Sequence, residues 1–99
     1  MAINKETYRS WLSDVPDDKV FWRHDGGVIR NLEELATALR QMTEETFHYH
    51  ATADKNDFSK WVRDVIGDVT LSNQLKKATT QSTAARRVEM RVNWLKARL

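Results

Sequence analysis

Residues 56–68 read Asn-Asp-Phe-Ser-Lys-Trp-Val-Arg-Asp-Val-Ile-Gly-Asp, and this stretch carries the start, the buried face and the end of one helix. Asn56 or Asp57 can accept hydrogen bonds from the free N–H groups of a helix start. Gly67 supplies a left-handed residue that ends a helix. The apolar residues between them recur at helical spacing and are Phe58, Trp61, Val62, Val65 and Ile66. We expect the rest of the chain to pack around the two large aromatic residues of this face.

An N-cap signal predicts a first helix near the start of the chain. Asn4 is a typical N-cap residue, and Ile3 and Tyr8 are placed for a hydrophobic staple around it. Val15 precedes Pro16, and the residue before proline avoids helical geometry. The helix should therefore end at Val15.

Three further capping signals follow in the sequence. Asn31 stands three residues before Glu34, which is a capping-box arrangement with Asn as the cap. Thr43 precedes two glutamates, which suit the positive end of a helix dipole. Asp68, directly after Gly67, can cap another helix. We expect helices after each of these residues.

The last helix is defined by its apolar seam. Residues 79–83 interrupt the pattern before it and do not reveal its cap. The seam recurs at alternating spacings of three and four, as in a helix core or a coiled coil. Its members are Ala85, Val88, Val92, Leu95 and Leu99.

A short β-hairpin is predicted between the first two helices. Residues 19–23, Lys-Val-Phe-Trp-Arg, are of β type, and residues 24–27, His-Asp-Gly-Gly, supply the positive φ angles of a tight turn. Residues 28–30 then return as a second strand. Because an isolated two-stranded hairpin is only marginally stable, one face should lie on the helices.

The sequence thus predicts one compact, mainly α domain over residues 1–99, with about five helices in a bundle and a short N-terminal β-hairpin. The predicted core consists of Leu12, Phe21, Leu32, Leu35, Leu39, Phe47, Phe58, Trp61, Val65, Leu75, Val88, Val92 and Leu95.

Composition excludes several classes of protein. The chain has 99 residues, 40% hydrophobic and 30% charged, with no cysteine, which rules out thiol catalysis and cysteine-zinc sites. No apolar run approaches the ~18 residues of a membrane span. The N-terminus lacks the pattern of a signal peptide. We therefore expect a cytoplasmic protein without a membrane partner.

Charge is unevenly distributed along the chain. Residues 76–99 hold seven Lys and Arg against one Glu, whereas residues 1–75 hold nine Lys and Arg against thirteen Asp and Glu. Such asymmetry is typical of binding to an anionic partner. It equally suits a basic end that docks on the acidic body of its own chain or of a neighbouring copy.

Several segments together resemble a family of small bacterial and archaeal domains of unknown function. They are residues 31–35 (Asn-Leu-Glu-Glu-Leu), 47–50 (Phe-His-Tyr-His), 56–62 (Asn-Asp-Phe-Ser-Lys-Trp-Val) and 67–68 (Gly-Asp). The Asn-Asp-Phe-x-x-Trp piece is the most specific, and the likeness covers residues 20–75. Gly26, Gly27 and Ser72 depart from the family pattern. The resemblance supports the fold and implies no activity.

The histidines are the first candidates for chemistry. His48 and His50 are two residues apart, which points them in different directions on a helix, and His24 lies on the hairpin. A metal site with Asp54 or Asp57 is conceivable. The simpler interpretation is a partly buried His50 that donates to the Asn56-Asp57 loop, with His48 on the surface. We predict no metal site and no cofactor.

Catalytic motifs are weak. No serine lies in a Gly-x-Ser-x-Gly elbow, and Gly26-Gly27 lacks the continuation of a phosphate-binding loop. The scattered carboxylates are better explained as helix caps and surface groups. We predict no catalytic residue and no enzyme activity.

Nucleic-acid binding has two sequence features in its favour. Arg87, Arg91, Trp94 and Arg98 share one face of the last helix, where cations could neutralise phosphates and the indole could stack on a base. Residues 60–78 also form a helix–turn–helix candidate. Its second helix carries the polar residues Ser72, Asn73, Gln74, Lys76 and Lys77.

A protein-interaction module is the function that we predict. The terminal seam is long, the large aromatics exceed what a small core readily buries, and the basic helix contrasts with an acidic body. A helix with one apolar and one basic face can pair with its own copy or lie in the groove of a partner. Nucleic-acid binding through Arg87, Arg91, Trp94, Arg98, Lys76 and Lys77 is the alternative.

Overall fold

The computed structural model describes residues 4–99, which form six α-helices, one two-stranded hairpin and two shorter helical turns. The helices are α1 (Lys5–Leu12), α2 (Leu32–Gln41), α3 (Glu44–His50), α4 (Asp57–Trp61), α5 (Val69–Lys76) and α6 (Gln81–Lys96). The strands are β1 (Phe21–Trp22) and β2 (Val28–Ile29), a 3₁₀ turn spans Asp17–Lys19, and a π-helical turn spans Val62–Ile66. The mainly helical fold with an N-terminal hairpin is confirmed.

Side-chain caps begin the helices. The cap oxygen accepts the N–H of the residue three positions later, at 2.8 to 3.1 Å. The caps are Asn4, Asn31, Thr43, Asn56, Asp68 and, unpredicted, Thr80. The capping box at α2 differs from the prediction, because the Glu34 carboxylate accepts from Arg30 N–H at 2.8 Å rather than from the cap residue.

The first helix is shorter than predicted. α1 ends at Leu12, because the Val15 N–H donates to the Arg30 carbonyl at 2.8 Å and is drawn into the connection beside the hairpin. The predicted hydrophobic staple includes Ile3, which lies outside the described residues. Trp11 of α1 is partly buried against the core.

The hairpin forms where the Asp-Gly-Gly turn predicted it. Phe21 pairs with Ile29, and Trp22 pairs with Val28. Gly26 has φ +99° and is the one residue of the turn that needs a left-handed conformation. Since strand neighbours face opposite sides, Phe21 lies in the core while Trp22 is 68% exposed.

The central stretch is a short α-helix followed by a π-helical turn, where the sequence predicted one continuous helix. The Gly67 N–H donates to the Val62 carbonyl at 2.7 Å, a bond across five residues that widens the last turn. The wider turn buries Val62 and Ile66 and leaves Val65 only partly buried. Gly67 then ends the turn at φ +99°, as predicted.

The core lies between α2, α6 and the central helices, and α2 against α6 is the largest contact between helices. Eleven of the thirteen predicted core residues are buried. Leu12 and Val65 are the exceptions and only pack against the core. The Trp61 indole N–H donates to the Lys19 carbonyl at 2.8 Å, which joins α4 to the turn before the hairpin.

Two buried serines join α4 to α5. The Ser59 hydroxyl lies 2.8 Å from the Ser72 carbonyl, and the Ser72 hydroxyl lies 2.9 Å from the Ser59 carbonyl. Small side chains at both positions let the two helices approach closely, while each hydroxyl still finds an acceptor. Ser72 therefore faces α4 and is fully buried, so it is not among the exposed polar residues that the helix–turn–helix candidate requires.

No helix within residues 4–99 combines the length and the apolar character needed to cross a bilayer.

Candidate interaction site

A groove of about 380 Å³ lies between α5 and the outer face of α6. Its lining is Gln74 from α5 and, from α6, Arg86, Arg87, Met90, Arg91 and Trp94. The α6 residues span more than two helical turns and lie on one side of that helix, because their spacings are those of helical neighbours. We call this feature the α5–α6 groove.

The groove has an apolar part that is open to solvent. Met90 is 62% exposed and Trp94 is 36% exposed. The two residues are four positions apart on α6, so their side chains are adjacent along the helix. Contiguous exposed apolar surface that is bordered by polar residues marks interaction sites, whereas single exposed apolar residues do not.

Arg91 is fixed at the floor of this groove by a buried carboxylate. Its Nε donates to Asp68 Oδ2 at 2.7 Å and its Nη2 donates to Asp68 Oδ1 at 3.0 Å. The Asp68 side chain is fully buried, and the Arg91 side chain is 12% exposed. The pair joins the start of α5 to the middle of α6, and it neutralises the charge of Arg91.

Trp94 is held by cations and by a second aromatic ring. The guanidinium carbon of Arg91 lies 4.3 Å from the ring centroid, and that of Arg98 lies 3.5 Å from it. Arg91 precedes Trp94 by three positions and Arg98 follows it by four, so both are neighbours of the indole on the helix surface. Tyr8 of α1 meets the same ring edge-on at 5.4 Å between centroids. The indole is therefore oriented before any ligand arrives.

The cationic part of the groove lies toward the N-terminal half of α6. Arg87 Nη1 donates to the Gln74 carbonyl at 3.1 Å, beside the C-terminal, negative end of α5. Arg86 is exposed. Within residues 4–99, neither arginine has a carboxylate within 4 Å, and the groove lining contains no Asp or Glu. Their positive charges are thus available to an anionic group.

The other predicted binding residues do not all meet here. Lys76 borders a different hollow, of about 600 Å³, together with Lys60 and Arg63. Arg63 also binds its neighbour Asp64 at 2.9 Å, and this hydrogen bond lowers the pKa of the Asp64 carboxyl. Arg98 donates to the Trp94 carbonyl at 2.9 Å beyond the end of the groove. From the predicted set, the structure brings Arg87, Arg91 and Trp94 into the groove lining, and Arg98 contacts the Trp94 ring from outside that lining.

His50 is buried and fixed by two hydrogen bonds. Its Nε2 accepts the His24 backbone N–H at 2.9 Å, and its Nδ1 lies 3.0 Å from Asp57 Oδ2. Because Nε2 is an acceptor, the proton resides on Nδ1, which donates to Asp57. The bond to the Asn56-Asp57 loop is as predicted, and His48 is exposed as predicted. Among residues 4–99, no group of three or more His, Asp or Glu is arranged to hold a metal ion.

Sequence reasoning missed Arg86, Met90 and the role of Asp68. Met90 is three residues after Arg87 and four before Trp94, so the same spacing rule that joined those two would have included it. The sequence predicts Asp68 only as a helix cap. Its second role as the partner of Arg91 depends on a contact across 23 positions, for which the sequence gives no local signal.

The comparisons with known proteins place the chain in a family. A model described as "Family of unknown function (DUF5752)" matches residues 17–95. This span is longer than the resemblance over residues 20–75, and it includes α6 as far as Leu95. No curated protein and no solved structure gives a significant match. The chain belongs to the family of unknown function DUF5752.

Proposed function

We propose that this chain is a non-enzymatic protein-interaction module, and that the α5–α6 groove is its contact surface. The observation that carries the proposal is the exposed pair Met90 and Trp94 beside Arg86 and Arg87, which have no carboxylate partner among residues 4–99. Aromatic residues, Met and Arg are the residue types enriched in protein–protein interfaces. A Trp that is already oriented costs less side-chain entropy on binding.

Site-specific photo-crosslinking tests this proposal in cells of the native host. A photoreactive residue replaces Met90 in one variant and Val69 in a control, because Val69 is also exposed, at 54%, but does not line the groove. We expect adducts from position 90 that are removed by protease and resist nuclease. Adducts removed by nuclease, or equal yields at both positions, would contradict the proposal.

Nucleic-acid binding is the second candidate. It is supported by the exposed Lys76 and Lys77 and by Arg86 and Arg87, which form no ion pair within the described part of the chain. Two observations favour nucleic-acid binding less than protein binding. Arg91 is neutralised by Asp68, and two guanidinium groups already lie over the ring that a base would need for stacking. Anisotropy of a labelled mixed-sequence oligonucleotide across a salt series tests it, since affinity through phosphate contacts falls steeply with rising salt.

A further inference from the structure

We propose, resting on the function above, that the α5–α6 groove takes an acidic, amphipathic helix of a partner protein. Three features of the groove select this occupant, namely the sign of its charge, the order of charged and apolar groups along it, and its length.

The sign of the charge selects an acidic occupant. Of the three arginines that line the groove, Arg91 is the one with a carboxylate partner in the described residues 4–99, and that partner is Asp68. Arg86 and Arg87 stand at one end of the lining without carboxylate partners in the described part of the chain. A ligand carboxylate placed there gains a charge-assisted hydrogen bond, whereas a ligand cation meets like charge.

The order of groups along the groove fits an occupant that carries both acidic and apolar groups. The cations lie at Arg86 and Arg87, and the apolar groups follow at Met90 and Trp94, so the two kinds of contact are segregated along α6. Arg87 and Trp94 are seven residues apart, which corresponds to about 10 Å along a helix. The occupant must therefore carry acidic groups and an apolar group at the same separation.

A helix meets this requirement with its most regular spacing. Residues seven apart on a partner helix lie on one face, two turns apart, with the same ~10 Å separation. Helices that dock in grooves use such i, i+3 or i+4, and i+7 anchors.

The test uses designed helical peptides of about four turns that share one leucine face and differ only in the flanking residues, which are Glu, Gln or Lys. Binding is measured by fluorescence anisotropy to the full chain and to variants Arg86→Glu and Met90→Ser. Both positions are exposed, so these variants keep the fold, and circular dichroism verifies this. The matched controls are Lys60→Glu, an exposed cation outside the groove, and Trp22→Ser, an exposed aromatic on the hairpin.

We expect the Glu peptide to bind the parent chain more tightly than the Gln and Lys peptides do. Each groove variant should lower the affinity for the Glu peptide about fivefold or more, as expected when an interface anchor is removed. Both control variants lie outside the interface and should bind the Glu peptide within about twofold of the parent chain. Equal binding of the Gln or Lys peptide overturns the acidic occupant but leaves protein interaction intact. Binding of a labelled oligonucleotide and of no peptide overturns both proposals. A concentration-dependent dimer that Met90→Ser abolishes overturns the partner helix in favour of a second copy. Absence of all binding overturns this inference, and the crosslinking at position 90 then decides the proposed function separately.

Discussion

The bond between Asp68 and Arg91 makes a quantitative prediction about folding. Replacement of Arg91 by Met removes both donors to a fully buried carboxylate and keeps most of the side-chain volume. Asp68 Oδ1 then retains the Leu71 N–H at 3.1 Å, but Oδ2 has no remaining partner within the described structure. Loss of one member of a buried pair costs about 3–5 kcal/mol, because a charge is left uncompensated.

Substitution of the other member of the pair, Asp68→Asn, should lower the free energy of unfolding less than Arg91→Met does. The amide oxygen can keep the cap to Leu71, and the orphaned Arg91 still lies over the Trp94 ring and retains some contact with solvent. Loss of hydrogen bonds to a charged partner predicts about 1.5–3 kcal/mol. The double variant, Asp68→Asn with Arg91→Met, removes both charges. It should be more stable than Arg91→Met alone, because its core no longer contains an unpaired carboxylate.

Urea denaturation followed by far-ultraviolet circular dichroism measures the free energies of unfolding of the parent chain, of the two single variants and of the double variant. Helix content is the appropriate signal, because tryptophan fluorescence would also respond to the altered surroundings of Trp94. Arg86→Met is the control, since it removes an exposed arginine from the same helix and should change stability by no more than about 0.5 kcal/mol. A cost below about 1 kcal/mol for Arg91→Met, or additive effects in the double variant, would refute the reasoning.

Three further predictions concern the core. Trp61→Ala should lower the free energy of unfolding by about 3–5 kcal/mol, because it deletes a buried indole and its hydrogen bond to the Lys19 carbonyl. Denaturant unfolding measures this change, and a loss below about 1 kcal/mol would contradict the prediction. Nitrogen-15 NMR should find His50 with its proton on Nδ1, because Nε2 accepts a backbone N–H; an Nε2–H signal would contradict the assignment. Ser72→Ala should lower stability by about 1 kcal/mol, because it removes the hydrogen bond from the Ser72 hydroxyl to the Ser59 carbonyl and keeps the one from the Ser59 hydroxyl to the Ser72 carbonyl. An unchanged temperature of thermal unfolding would show that the Ser72 hydroxyl contributes nothing to stability.

Helix starts are the most predictable part of the fold. An N-cap and the N–H that it accepts are three residues apart, so the whole interaction lies within a few letters of sequence. Asn4, Asn31, Thr43 and Asp68 were found in this way, and Gly67 was found as a terminator for a similarly local reason. The hairpin turn followed from Asp-Gly in the same manner.

The π-helical turn was not predictable, because an apolar spacing of three and four fits an ordinary α-helix equally well. What decides the local geometry is the bond from the Gly67 N–H to the Val62 carbonyl. Trp11 approaches the same place, since a Cβ on Gly67 would lie 3.3 Å from the indole nitrogen. The end of this turn therefore depends on packing from α1, which is more than fifty positions away in sequence.

The candidate site was predictable only in part, because it too depends on packing between residues that are far apart in the sequence. Spacing showed that Arg87, Arg91 and Trp94 share a face of α6, but it could not show that a buried carboxylate lies opposite one of them. That carboxylate divides the arginines by role. Arg91 is bound to Asp68 and orients Trp94, so its removal would disturb folding and the groove together. Arg86 and Met90 are exposed in the same groove and make no such bond, so they are the positions at which recognition can be changed while the fold is kept.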